Sequence, residues 1–211
     1  MVSPLQSQFI EFLVKSEVFK FGRFTLKSGR IAPYYVNTGA FDDGAKIGEL
    51  GRFYASHMKQ HGLETAHTIF GPSYKGIPLC VATAMSMQQL YQIPIGFTFD
   101  RKEEKDHGDG GLLVGRKIKD GDSIVIVEDV VSAGTTLRKI VPLVRSLAKV
   151  TIAGVVVSVD RQERGTGALS AVQEIESTLG VKVFPLVTVD DLITYLSAPN
   201  NSGVLLSATQ L

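Results

Sequence analysis

Apolar positions along the chain follow two different rhythms. Up to about residue 62, short patterns are broken by glycine and proline; beyond it, near-continuous valine and isoleucine runs alternate with amphipathic segments. Ser3 and Pro4 form an N-cap and first-turn pair that predicts a helix to about Val18. Phe9, Phe12 and Leu13, joined by Leu5, make its apolar face. The alternation and punctuation of VFKFGRFTLKSGRIAPYYVNTGAF predict short strands and turns. Ile47, Leu50, Tyr54 and Met58 then line one side of a predicted helix from about Asp43 to His61.

After that, AHTIFG predicts a strand, KGIPLCVATAMSMQQLY a helix and IPIGFTF a strand. SIVIVED predicts a buried strand, GTTLRKIVPLVRSLA a helix broken or kinked near Pro142, and VTIAGVVVSVD another strand. ALSAVQEIESTLG, KVFPLVTV and DDLITYL complete the alternation. Strands that are apolar throughout, separated by helices, predict an α/β fold with a mostly parallel central sheet flanked by helices. The earlier residues read as a small N-terminal α/β hood on that core. A length of 211 residues suits one domain: a hood of about 1–62, a core of about 63–197 and a tail of 198–211.

Charge and cysteine usage narrow the setting. A net charge of +1 creates no global field, so neither nucleic acid nor a membrane surface is an expected partner. The single cysteine, Cys80, cannot form an internal disulfide, and MVSPLQSQFIEFLV lacks the basic start of a secretory signal; a cytoplasmic location is expected. No apolar run reaches the roughly 18 residues of a membrane span.

Ligands of open parallel sheets sit beyond the carboxyl ends of the strands. The strand ends IFGPSYKG, FDRKEEKDHGDGG, IVEDVVSAGTT and VSVDRQERG should therefore share one rim. In the third, a turn of small and hydroxyl residues (Ser132, Ala133, Gly134, Thr135, Thr136) precedes a helix, where free backbone N–H groups and the helix dipole favour a phosphate. Glu128 and Asp129 stand one sugar away and suit vicinal hydroxyls, so the stretch fits a ribose 5-phosphate; an ordinary capped strand end explains the turn but not both acids. Neither a G-x-x-x-x-G-K-[ST] string nor a well-placed dinucleotide fingerprint is present. RKEEKDHGDGG reads either as a solvated loop or as a mobile lid whose cations grip a diphosphate. His57 and His61 are spaced for a metal but lack a third ligand; Cys80, Met85 and Met87 read as packing.

The ordered set FGRFTLKSGRIAPYY, FGPSYKGIP, DRKEEKDHGDGG, VEDVVSAGTT and SVDRQERG resembles the orotate phosphoribosyltransferases, type I phosphoribosyltransferases, from about Gln8 to about Leu196. The resemblance implies the type I phosphoribosyltransferase fold and the substrates phosphoribosyl diphosphate and orotate. It implies Mg²⁺ held mainly by substrate and water, with no protein metal site. Lys27 would contact the donor near the reaction centre, and Tyr74 and Lys75 its diphosphate. Arg101, Lys102, Lys105 and His107 would come from a mobile loop, 101–111, shared across a homodimer interface. Glu128 and Asp129 would hold the ribose hydroxyls, and Val130, Val131 and Ser132 to Thr136 would wrap the 5-phosphate. Tyr35, Val36, Ser132 and Arg161 would face orotate, and Lys27, Lys105 and Asp129 would carry catalysis. A transferase for another base, or a non-catalytic sensor of the donor on the same fold, are the competing expectations.

Overall fold

The computed structural model describes residues 2–25, 31–105 and 111–198. Ser3 caps α1 (Pro4–Lys15) by accepting the Gln6 amide at 3.3 Å, while the Gln6 side chain accepts the Ser3 amide at 2.9 Å. This reciprocal box satisfies two donors that a helix start leaves unpaired. The helix ends at Lys15, short of the expected Val18. Glu17 turns left-handed (φ 57°), and the reversal carries Val18 and Phe19 into the core. Burying two such side chains, at about 1.5–3 kcal/mol each, outweighs one more helical turn.

β1 (Phe19–Thr25) and β2 (Ile31–Val36) form an antiparallel sheet of their own. A 3₁₀ turn, Thr38–Ala40, leads into α2 (Gly44–Gln60), whose cap Asp43 accepts the Lys46 amide at 2.8 Å. The elements that follow are β3 (Thr68–Gly71), α3 (Gly76–Tyr91), β4 (Gly96–Lys105), β5 (Gly111–Gly115) and β6 (Ser123–Val131). Then come α4 (Thr135–Leu147), β7 (Thr151–Asp160), α5 (Ala171–Leu179), β8 (Val183–Thr188) and α6 (Val189–Leu196). The main sheet has the order β5-β4-β3-β6-β7-β8, parallel except for β5 against β4.

Successive side chains of a strand face opposite ways, so each strand feeds two cores. Val125, Val127 and Val156 join α1, α2, α3 and α6 in one apolar cluster. Ile124, Ile126, Val155 and Val157 join α4 and α5 in the other. Pro185 sits in β8, an edge strand, where a missing N–H is tolerated. α1 and α6 lie together: Gln6 donates to Asp191 at 3.2 Å and Tyr195 to Glu11 at 2.7 Å.

Two further expectations need correction. The segment expected as a loop from Arg101 is strand as far as Lys105, and Gly111–Gly115 returns beside it, so its base is an antiparallel arm. The charged run has no period of two, and its pairing is irregular: Val114 and Leu113 oppose Phe99 and Asp100, and Gly111 opposes Lys105. The helix after Gly134 is not broken at Pro142, because Leu137, Ile140, Val141 and Val144 bury both halves on the sheet while Pro142 faces outward. Lys27, His107 and 199–211 lie outside the described residues.

The strand order reverses at β3, which has β4 on one side and β6 on the other. Such a reversal opens a crevice at the carboxyl ends of the two diverging strands. Gly71 and Glu128-Asp129 stand at those ends.

Candidate active site

The crevice is bridged by one ion pair. Lys75, in the turn after β3, places its Nζ 3.0 Å from Oδ2 of Asp129 on β6. Thr38, from the hood, completes a triangle: its hydroxyl donates to Asp129 Oδ2 at 2.5 Å and accepts from Lys75 Nζ at 2.8 Å. The other Asp129 oxygen accepts the Val130 amide at 2.8 Å. Underneath, Ser158 donates to the Asp129 carbonyl and Tyr54 to the Glu128 carbonyl, the latter at 2.7 Å. The strand end is thereby pinned from α2 and β7.

Glu128 is 8% exposed and accepts the Asp129 amide at 3.1 Å. Burial, reinforced by the neighbouring Asp129, pushes its carboxyl well above the usual glutamate range. Burial acts the same way on Asp129, but hydrogen bonds from Glu128 and Thr38 and the charge of Lys75 overcome it and hold Asp129 low. The pair thus carries one negative charge, matched by one ammonium. A raised carboxyl pKa in the folded state contributes stability at low pH that is lost as pH rises toward the folded value. Glu128→Gln is therefore expected to melt like wild type near pH 4 and progressively higher than wild type as pH rises through neutrality. Parallel melting curves over that range would refute the assignment.

Beside the carboxylates, Val130 to Leu137 enclose a cavity of about 100 Å³. Gly134 is left-handed (φ 70°) at the start of α4, and a Cβ there would lie 2.5 Å from Ile175 Cδ1. The turn therefore needs glycine both for its conformation and for space. Ser132, Thr135 and Thr136 sit on this wall with the unpaired first-turn N–H groups of the helix.

Asp100, closing the apolar part of β4, accepts the Ser73 amide at 2.6 Å and its hydroxyl at 3.2 Å, which sets the turn that carries Tyr74 and Lys75. Gly71 and Gly76 pack backbone to backbone across the base of that turn; a Cβ on Gly71 would lie 2.0 Å from the Gly76 carbonyl. Lys102 lies 4.7 Å from the ring centre of Tyr74. Arg101 donates to the Gly111 carbonyl at 3.0 Å across the arm, and it shares a groove of about 430 Å³ with Lys102, Thr135 and Thr136. Lys105 ends β4.

At the end of β7, Arg161 pairs with Glu163 at 2.8 Å, and its guanidinium lies 5.6 Å from the ring centre of Tyr34. Its Nε is buried without a partner among the described residues. Tyr34 and Val36 share one face of β2, and Tyr35 takes the other, stacked on Phe24 at 5.4 Å.

The sequence reading thus brought Lys75, Glu128, Asp129 and the Val130–Thr136 turn to one place, and Tyr74 beside Lys102. It missed Thr38, Asp100 and Tyr34. Asp100 carries the same signal as Glu128, an acid ending an apolar strand, whereas Thr38 and Tyr34 reach the rim only through tertiary contacts. Among the described residues no group of three or more His, Cys, Asp or Glu could hold a metal. His57 is buried against His61, ring centres 4.4 Å apart, and burial lowers its pKa to about 4. Cys80 is buried, and burial pushes its thiol up to about 12. Met87 is core and Met85 is exposed.

Residues 37–188, which carry this strand-reversal crevice, its hydroxyl-rich turn and its acid pair, match the family model described as phosphoribosyl transferase domain. The chain is 48% identical over 198 residues to an orotate phosphoribosyltransferase of Bifidobacterium animalis subsp. lactis, covering 91% of this chain and 86% of that one. It is 49% identical to that of Nitrosococcus oceani, covering 90% and 86%. Among solved structures, an orotate phosphoribosyltransferase of Francisella tularensis superposes with a TM-score of 0.82 at 34% identity, covering 96% and 93%. The chain belongs to the orotate phosphoribosyltransferase family.

Proposed function

We propose that the chain transfers the ribosyl 5-phosphate group of phosphoribosyl diphosphate to N1 of orotate, giving orotidine 5'-phosphate and diphosphate, as a step of pyrimidine nucleotide synthesis. The observation that carries this reading is the Lys75–Asp129 pair spanning the β3/β6 crevice beside the Val130–Thr136 cavity. The cavity takes the 5-phosphate on helix N–H groups and the hydroxyls of Ser132, Thr135 and Thr136. Glu128 and Asp129 accept from the ribose hydroxyls. Tyr74 and Lys75 meet the diphosphate, and Lys27, Arg101, Lys102, Lys105 and His107 complete its cationic surround from the hood and the arm.

Cleavage at the anomeric carbon passes through an oxocarbenium-like state, so stabilisation of a departing diphosphate is the main demand. Orotate N1 enters as an anion, which removes the need for a general base and suits a rim rich in cations. Arg161, with its unpaired Nε and its place over Tyr34, suits the orotate carboxylate; the backbone of Tyr35 and Val36 with Ser132 forms the opposite wall. The donor set fits magnesium: the carboxyl oxygens of Glu128 and Asp129 are hard ligands at the rim of the crevice, and a diphosphate and water would supply the remaining oxygens such a cation takes. Glu128 and Asp129 would help hold Mg²⁺ beside the donor, where the ion, ligated mainly by substrate oxygens, would supply neutralisation of diphosphate charge. Closure of the arm over the rim excludes water from the donor.

A second copy of the chain fits the apolar face of α3, where Pro78, Val81 and Met85 recur at helical spacing and Met85 is 56% exposed. In a homodimer the arm of one subunit would serve the site of the other, as the sequence resemblance implies. No helix among the described residues is long and apolar enough to cross a membrane, and the lone buried Cys80 agrees with the cytoplasm.

The test supplies Mg²⁺, phosphoribosyl diphosphate and one base at a time, following orotate absorbance and diphosphate release, with sedimentation of the same preparation. Turnover is expected with orotate and not with adenine, hypoxanthine or uracil. Turnover with a purine alone would retain the phosphate and ribose contacts and overturn the Arg161 assignment; donor binding without turnover would indicate a sensor.

A further inference from the structure

Thr38 is the one side chain through which the turn after β2 enters the ion pair of the crevice. It is 9% exposed, and its hydroxyl is used in both senses, donating to Asp129 and accepting from Lys75. The backbone that presents it is locked. The Asn37 amide donates to the Val18 carbonyl at 2.7 Å, the Asn37 side chain accepts the Gly39 amide at 3.2 Å, and the Phe41 ring is stacked on Phe12 at 5.4 Å. Below it, Leu50 and Leu79 close a cavity of about 150 Å³ that Thr38, Lys75 and Asp129 also line.

Lys75 has most of its side chain in water, 60% exposed, and a free ammonium on a four-carbon stem samples many rotamers. With its cation this exposed, the pair has little hold of its own. The buried hydroxyl supplies a fixed third point: it meets the ammonium at the mouth of the crevice and holds Asp129 Oδ2, while Oδ1 stays on Val130.

We infer that Thr38 is a positioning residue for the diphosphate-bearing substrate, its hydroxyl holding Lys75 and Asp129 in the geometry that receives the donor; the inference rests on the function proposed above. Its role is hydroxyl chemistry and not packing, so two substitutions separate the cases. Thr38→Val keeps the shape and removes the hydroxyl. Thr38→Ser keeps the hydroxyl and removes the methyl group.

The experiment measures KM for phosphoribosyl diphosphate and for orotate, and calorimetric binding of phosphoribosyl diphosphate with Mg²⁺, in wild type and both variants. Thr38→Val is expected to weaken donor binding and raise the donor KM about tenfold, the loss of one charge-assisted hydrogen bond, with the orotate KM unchanged. Thr38→Ser restores the donor KM to within about twofold of wild type, as a retained hydroxyl should. A Thr38→Val enzyme with wild-type donor affinity overturns the inference while leaving the transferase intact. So does the reverse pattern, Ser impaired and Val normal, which marks a packing role. A wild-type chain that binds the donor but never turns over orotate overturns the proposed function instead.

Discussion

Asp129→Asn is expected to lower kcat/KM for phosphoribosyl diphosphate by about 100- to 1000-fold while leaving the melting temperature within a few degrees of wild type. Two charge-assisted hydrogen bonds to ribose hydroxyls, at the low end of about 1.5–3 kcal/mol each, give that factor at about 1.4 kcal/mol per decade. Stability is spared for a structural reason. The asparagine oxygen can still accept from Val130 or Thr38, and Lys75, which loses its partner, is 60% exposed and keeps its charge in water. Steady-state kinetics and thermal melting on the same sample decide the matter. A variant that keeps wild-type kcat/KM would remove Asp129 from the ribose site; one that melts far lower would make the acid pair a structural device.

Gly134→Ala is expected to cost stability twice over, through backbone conformation and through a side-chain collision. A left-handed alanine costs about 1–2 kcal/mol, and a Cβ 2.5 Å from Ile175 Cδ1 adds overpacking of about 1–3 kcal/mol. For a chain of this size the sum lowers Tm by roughly 5–15 °C. Backbone that shifts to relieve the contact also distorts the phosphate turn, so inorganic phosphate should no longer raise Tm. Gly180→Ala supplies the comparison: it has the same sign of φ (61°) but nothing within 4 Å, and should show the conformational cost alone. Ile175→Val, which removes the colliding Cδ1, should return part of the loss at Gly134. Equal shifts for the two alanine variants would show that the Ile175 contact is not the cause.

What could be read from the sequence divides along the range of the forces involved. β3, β6 and β7 are buried on both faces, so their Val and Ile runs declare them, and the sheet class follows. The acid pair and the small-residue turn are contiguous in the chain, and so is the logic that links them. β5 was not legible, because GLLVG is strand only once β4 lies beside it. Thr38 acts on Asp129 across 91 residues, and Asp100 on Ser73 across 27. No local pattern records either contact. Tyr34 comes beside Arg161 only through the packing of β2 against the end of β7, which the alternation of a strand does not record.

The clasp between α1 and α6 has a practical consequence. Both helices pack at the β8 side of the sheet, with α1 against β8 and α6, while the arm formed by β4 and β5 occupies the opposite edge. An affinity tag or surface linker attached ahead of Val2 therefore tethers the molecule by its far flank. On a sensor chip or resin so prepared, the arm faces the solvent and remains open to incoming nucleotide-forming substrates.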